Sequence, residues 1–141
     1  MTSSQPLVSD RARLALAAVV AIATKPGPQP MPASTLTGML GVGRRALEID
    51  LQALRRDGVL RGTTGPSGGY QLAKPAREIG VGTIVRAADS LRPGANLPMP
   101  RLVGEVVDPM LDYASRRFFE SLDAITLADL CERAAVTREV A

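Results

Sequence analysis

The sequence contains no histidine, no tryptophan and a single cysteine in 141 residues. One cysteine excludes a disulfide within the chain, and without histidine there is no conventional His/Cys metal site. A serine–histidine or cysteine–histidine catalytic pair is equally excluded. Carboxylates are present, but no two stand out as an acid–base pair, so the chain reads as a non-enzyme with no cofactor. Aromatic residues make up 3% of the chain and hydrophobic residues 45%. Leu, Val, Ile and Ala must therefore fill the interior, a composition that suits packed helices better than a sandwich. Lysine is scarce as well: of 17 basic residues only Lys25 and Lys74 are lysines. The planar arginine fork matches phosphates and guanine edges in two-point geometry, so a net charge of +3 in this form fits nucleic acid better than a membrane surface.

No apolar run is long enough to span a bilayer. Leu14 to Ala23 follows Arg11 and Arg13 and ends in Ala21-Ile22-Ala23, as a short signal peptide would. Asp10 in the supposed basic region and the high alanine content suit a core helix instead, and a cytoplasmic location is expected.

Local signals divide the chain. After a loose start over Met1 to Val8, Ser9 caps a helix to about Thr24, with Asp10 at its positive end. Leu14, Ala17, Ala18, Ala21 and Ile22 form its expected buried stripe. Three prolines between Pro26 and Pro30 make a stiff loop. A short helix over Ala33–Leu40 ends at Gly41, and a tight Gly41-Val42-Gly43 connection leads into a helix over about Arg44–Asp57. There Leu47, Leu51 and Leu54 share one face, and Gly58 closes the helix in the left-handed conformation. Val59 to Gly62 and Tyr70 to Ala73 flank the glycine-rich Thr63–Gly69, which predicts a β-hairpin. A helix follows over Val81–Ser90, with Ile84, Val85 and Ala88 inward. Leu91–Pro100 is a loop. From Leu102, Val103, Val106, Val107, Met110, Leu111, Ala114, Phe118 and Leu122 recur at helical steps, and Asp108-Pro109 either caps a new helix or bends one longer helix. Thr126 caps a last helix to about Ala135, with Leu127, Leu130, Cys131 and Ala134 on one face.

Several of these segments together resemble the Rrf2 family of bacterial transcription regulators. They are Leu47-Glu48, Leu54-Arg55-Arg56-Asp57-Gly58-Val59-Leu60, and Gly65-Pro66-Ser67-Gly68-Gly69-Tyr70-Gln71-Leu72-Ala73, with Glu78-Ile79-Gly80-Val81 and Ile125–Leu130 as further markers. The likeness runs from about Arg13 to Ala135. It implies a mainly α fold with a small β-hairpin wing, in which a winged helix-turn-helix domain over 1–90 carries a long C-terminal dimerisation helix. The loop 91–101 occupies the family's sensor position, and 102–141 holds the dimerisation and C-terminal helices. It further implies a homodimer on operator DNA, with the recognition helix in the major groove and the wing in the adjacent minor groove.

Recognition helices read bases from their N-terminal turns, which favours Arg44, Arg45, Glu48 and Ile49 as DNA-binding residues. Arginine suits guanine, and Ile49 suits a thymine methyl. Glu48 either accepts from a cytosine amino group or pairs with an arginine of its own helix. Gln52, Arg55 and Arg56 are placed to touch phosphate or solvent. On the wing, Gly65, Gly68 and Gly69 let backbone amides approach the sugar–phosphate chain closely, and Ser67 is a further DNA-binding candidate. Where the family usually carries a minor-groove arginine, this chain has Thr64. Arg61, on the preceding strand, is the candidate replacement.

Cluster-bearing relatives hold three cysteines in the loop before the long helix, whereas Leu91–Arg101 here has neither cysteine nor histidine. Cluster ligation needs thiolates, with histidine an occasional substitute, so an iron–sulfur cluster is not expected and the signal, small molecule or protein, is unidentified. The stripe Val103, Val106, Val107, Met110, Leu111, Ala114 and Phe118 is the expected dimer seam. The resulting expectation is a dimeric repressor on a pseudo-palindromic operator. The alternative is a winged-helix protein–protein module that does not read DNA sequence, for which Thr64 and the modest charge argue.

Overall fold

A computed structural model of the chain describes residues 7–90 and 98–140. Met1 to Pro6, in the expected loose start, and most of the expected 91–101 loop lie outside these residues. The element order is α1 (Asp10–Thr24), α2 (Ala33–Leu40), α3 (Arg44–Arg56), β1 (Leu60–Thr63), β2 (Gly69–Leu72), α4 (Val81–Asp89), α5 (Asp108–Asp123) and α6 (Leu127–Val140). This is a mainly helical winged-helix fold whose one described sheet is the antiparallel β1–β2 hairpin.

Helix α1 begins where its cap begins. The Ser9 hydroxyl accepts from the Ala12 amide at 3.1 Å and donates to Asp89 at the end of α4 at 2.8 Å. Its buried face is Ala12, Ala15, Ala18, Val19, Ala21 and Ile22, while Ala17 is exposed and Leu14 half-buried. The expected stripe therefore needs turning by a fraction of a turn. Alanines at 12, 15 and 18 let α1 lie close along the buried face of α4 (Val81, Gly82, Ile84, Val85, Ala87 and Ala88). Hydrophobicity alone ranks Leu14 above Ala15, whereas close helix packing favours the smaller residue. The apolar run of α1 is thus core, and among the described residues no helix is long and apolar enough to cross a membrane.

The turn between α2 and α3 forms as its glycines predict. Gly41 is left-handed (φ 67°) and its amide donates to Thr37 at 2.9 Å. The hairpin is in the register Leu60↔Leu72 to Thr63↔Gly69. A contact that local pattern does not announce anchors it: Met31 and Tyr70 exchange both backbone hydrogen bonds, at 2.8 and 2.9 Å.

The C-terminal segment returns to close the core. The Val81 amide donates to the Ile125 carbonyl and the Leu127 amide to the Ile79 carbonyl, both at 2.8 Å, so the start of α4 pairs with the start of α6. Leu127 is fully buried, and Leu130 and Cys131 pack against the same cluster. Thr126 and Asp129 form a reciprocal cap, with Asp129 donating its amide to the threonine hydroxyl and accepting from the Thr126 amide. Ahead of α5, residues 101–123 are continuously helical. A wide turn over Val103–Val107, in which the Asp108 amide reaches back to the Val103 carbonyl, accommodates Pro109 at the start of α5. Of the two arrangements open at Asp108-Pro109, the single longer helix is the one adopted.

Helix α5 touches the core through Phe119 and Leu122 and is tied to α4 by Arg86. The Arg86 guanidinium makes two hydrogen bonds to Asp123, at 2.9 and 3.0 Å, and stacks on the Phe119 ring. Gly82 makes room for this pair, since a Cβ there would overlap the Asp123 carboxylate. Hydrogen bonding to Arg86 holds the Asp123 carboxyl below the usual carboxylate range. A carboxyl with a lowered folded value stabilises fully above its unfolded value, about pH 4, and loses that contribution as pH falls through the folded value. Both side chains are partly solvated, so Asp123→Asn should lower stability by only about 0.5–1 kcal/mol at neutral pH. The two proteins should converge in acid, once the pH is below the folded value and the wild-type carboxyl is also neutral. Thermal melts across this range check the claim, and a difference that persists undiminished in acid would refute it.

Candidate nucleic-acid interface

The inward face of α3 carries Leu47, Leu51 and Leu54, all fully buried, together with Ala53 and the buried carboxylate of Asp50. What remains exposed divides into two stripes. Arg45, Ile49 and Arg56 line the outer face, with Gln52 beside them, and Ile49 is 45% exposed although apolar. Arg44, Glu48, Gln52 and Arg55 line a second stripe that faces the hairpin.

Between that second stripe and the hairpin lies an open groove of about 390 Å³. Its opposite wall is Thr63, Thr64, Gly65 and Gly68, and the first turn of α2 closes one end with Ala33 and Ser34. Within it Arg44 donates to Glu48 at 2.9 Å across one helical turn. Of the two readings open for Glu48, the structure holds the intrahelical pair. Arg55 lies over Gly62, where a Cβ would stand 3.6 Å from the arginine stem, and makes no ion pair among the described residues. The hairpin tip from Gly62 to Gly69 has no charged side chain.

The glycines of the tip are used for close approach. A Cβ at Gly68 would overlap the Thr63 carbonyl, and one at Gly69 would overlap the Met31 carbonyl. Gly65 takes the left-handed region (φ 102°), and the Gly68 amide donates to its carbonyl at 3.0 Å.

The structure therefore gathers Arg44, Glu48, Gln52, Thr64, Gly65 and Gly68 around one groove. Arg45 and Ile49 stand beyond its rim on the outer face of α3, and Ser67 is exposed at the tip. Arg61 is placed elsewhere. It pairs with Gln71 in the hairpin register and lines a separate depression on the other side of the hairpin with Lys25 and Gln29. Strand alternation accounts for the split between Arg61 and Thr64, which stand three residues apart and so point to opposite faces of the hairpin. Arg55, expected to touch phosphate or solvent, joins the groove because positions 44, 48, 52 and 55 fall on one helical stripe. Ser34 was not legible as a groove residue, because it arrives from another helix.

The donor set also bears on iron. Burial pushes the Cys131 thiol up, away from the thiolate that ligates metal. No group of three or more His, Cys, Asp or Glu among the described residues is placed to hold an ion. These residues do not fit a cluster.

The Rrf2 family, described as an iron-dependent transcriptional regulator, matches residues 8–133. The chain belongs to the Rrf2 family. Protein rrf2 of Nitratidesulfovibrio vulgaris is 28% identical over 134 residues, spanning 92% of this chain and 89% of that one. Among solved structures, T. potens IscR superposes with a TM-score of 0.69 at 27% identity, covering 92% of this chain and 88% of its own. Staphylococcus aureus CymR superposes with a TM-score of 0.63 at 28% identity, covering 88% and 97%. As an Rrf2 member this chain is a DNA-binding transcriptional regulator and not an enzyme.

The Met31–Tyr70 anchor gives a direct check on how this Rrf2 hairpin is held. Gly69→Ala should push β2 off Met31 and cost about 1–3 kcal/mol, the usual range for overpacking a tight site. Gly43→Ala, where a Cβ meets nothing within 4 Å, should cost far less. Denaturant melts of the two variants decide it, and equal losses would show that the anchor is not tight.

Proposed function

We propose that this Rrf2 regulator binds a pseudo-palindromic operator as a homodimer and acts as a repressor without an iron–sulfur cluster. The observation that carries this reading is the pairing of a solvent-facing α3 stripe with a charge-free, glycine-built hairpin across one groove. A helix end that offers Arg44, Arg45, Glu48 and Ile49 suits a major groove. Arg45, outside the Arg44–Glu48 pair, is the candidate for a two-point guanine contact, and Ile49 for a thymine methyl. Gln52 and Arg55 lie deeper along the helix, within reach of phosphate. The hairpin approaches the sugar–phosphate chain through Thr64, Gly65, Ser67 and Gly68, by hydroxyls and backbone rather than by a cation. Without an inserted arginine it gains little from the negative potential of a narrow A·T minor groove. Arg61, on the far side of the hairpin, is assigned at most a phosphate contact outside the groove.

The dimer reading rests on α5. Val106, Val107, Met110 and Leu111 are exposed, Met110 to 69%, and no residue of this helix is fully buried in one chain. Val103 and Phe118 are half-buried and Ala114 exposed along the same helix. A contiguous apolar face on this scale calls for a partner, and a second copy supplies one with two-fold symmetry. Two recognition helices then read half-sites one helical turn, or a multiple, apart. Occupancy of such a site at a promoter blocks access, which is repression. Sensing falls to a small molecule or a partner protein, since the side chains do not fit a cluster.

Two outcomes test this. Selection from random DNA should return an inverted repeat, and on that sequence Arg45→Ala should cost about 1–3 kcal/mol by fluorescence anisotropy. An unchanged affinity would remove Arg45 from the reading surface. Met110→Asp should shift sedimentation toward a monomer and weaken operator binding together. A variant that stays dimeric would place the seam elsewhere.

A further inference from the structure

Asp50 is 2% exposed and is the one buried charged residue among the described residues. On α3 it lies between Ala53 and the Leu47–Leu51–Leu54 ridge, all of them buried. Its Oδ1 accepts from Arg11 Nε of α1 at 2.6 Å. The Arg11 side chain remains 36% exposed, so the pair lies at the edge of the core with the carboxylate inward. Arg11 is itself held, because the neighbouring Ser9 caps α1 and donates to Asp89 of α4.

Stability does not explain such a pair. An apolar residue of similar volume at this position packs as well or better, since desolvating a carboxylate offsets most of what the pair returns. What an ion pair supplies and leucines do not is direction. The Leu47–Leu51–Leu54 ridge is apolar, and apolar burial is insensitive to a modest turn of the helix about its axis. A hydrogen bond of 2.6 Å is not. The side chains of α3 that face solvent stand about 5–6 Å from its axis, so a turn of about 20° carries their ends by about 2 Å. That displacement is enough to break a two-point contact with a base edge. Ile49 is the residue next to Asp50, and Gln52 and Arg45 lie within five residues of it.

We infer that the Arg11–Asp50 pair is a positioning device. It sets the rotation of α3 against α1 and so the register in which Arg45, Ile49 and Gln52 meet DNA. The inference rests on the DNA-reading function proposed above. It assigns neither Arg11 nor Asp50 a contact with DNA.

The test is the double variant Arg11→Met/Asp50→Leu, read in three ways on the full chain: melting temperature, affinity for the selected operator, and affinity for random duplex. The melting temperature should equal or exceed that of the wild type. Binding to random duplex and its salt dependence should be unchanged, because phosphate contacts are retained. The ratio of operator to random affinity should fall about tenfold, the worth of roughly one base contact. Arg11→Lys, which keeps the charge and one donor, should hold the ratio within about threefold. A double variant that keeps the wild-type ratio overturns the inference, as does a ratio that falls only in step with the melting temperature. If the wild type itself shows no preference for any selected sequence, the DNA-reading assignment fails first, before any variant is compared.

Discussion

The burial of Leu47, Leu51 and Leu54 decides which side of α3 meets solvent, and the interface depends on that choice. Each of these side chains has 0% exposure and contributes about 1.5–3 kcal/mol by leaving water. With the ridge inward, the 3.6-residue repeat leaves the arginines, Glu48, Ile49 and Gln52 outward. The buried Asp50 interrupts an otherwise apolar face, and Arg11 answers it across the α1–α3 contact. A helix that offers side chains to a partner must be both stable and correctly turned. Apolar burial supplies the first of these, and the ion pair is suited to the second.

Around that helix the molecule is held by contacts between segments distant in the chain. Met31 pairs with Tyr70 and fastens the hairpin beside α2. Ile79 and Val81 pair with Leu127 and Ile125, which draws the C-terminal helix back onto α1 and the turn at Ala76–Glu78. The two late markers of family resemblance, around Gly80 and around Thr126, are therefore partners of one another in space. Arg86 and Asp123 add a third tie between α4 and α5, and Gly82 is small so that they can meet. Helix α5 is left with its apolar face outward, and none of its residues is buried within a single chain.

The donor set separates this chain from the iron in its family's description. Thiolates are the ligands that a cluster requires. With no histidine and one half-buried cysteine, the chain does not offer that ligand set, although the scaffold around it is the family's.

Caps, turns and periodicity were legible in the residues alone. Ser9, Gly41, Gly58 and Thr126 mark helix ends because each satisfies orphaned backbone groups or adopts a backbone angle locally. The leucine ridge and the glycine-rich hairpin are equally local, and with the absent histidines they led from sequence to fold class and family. Tertiary structure decided the rest. The inward face of α1 is its alanine side because α4 lies close there, which no count of hydrophobicity reveals. Alternation along the strand sets Arg61 and Thr64 on opposite faces, but that Lys25 and Gln29 lie beside Arg61 is decided only by packing. Arg11 and Asp50, 39 residues apart, carry no shared pattern and become a pair only when two helices cross. Local rules act through near neighbours along the chain, whereas packing is set by whichever surfaces meet once the chain has folded.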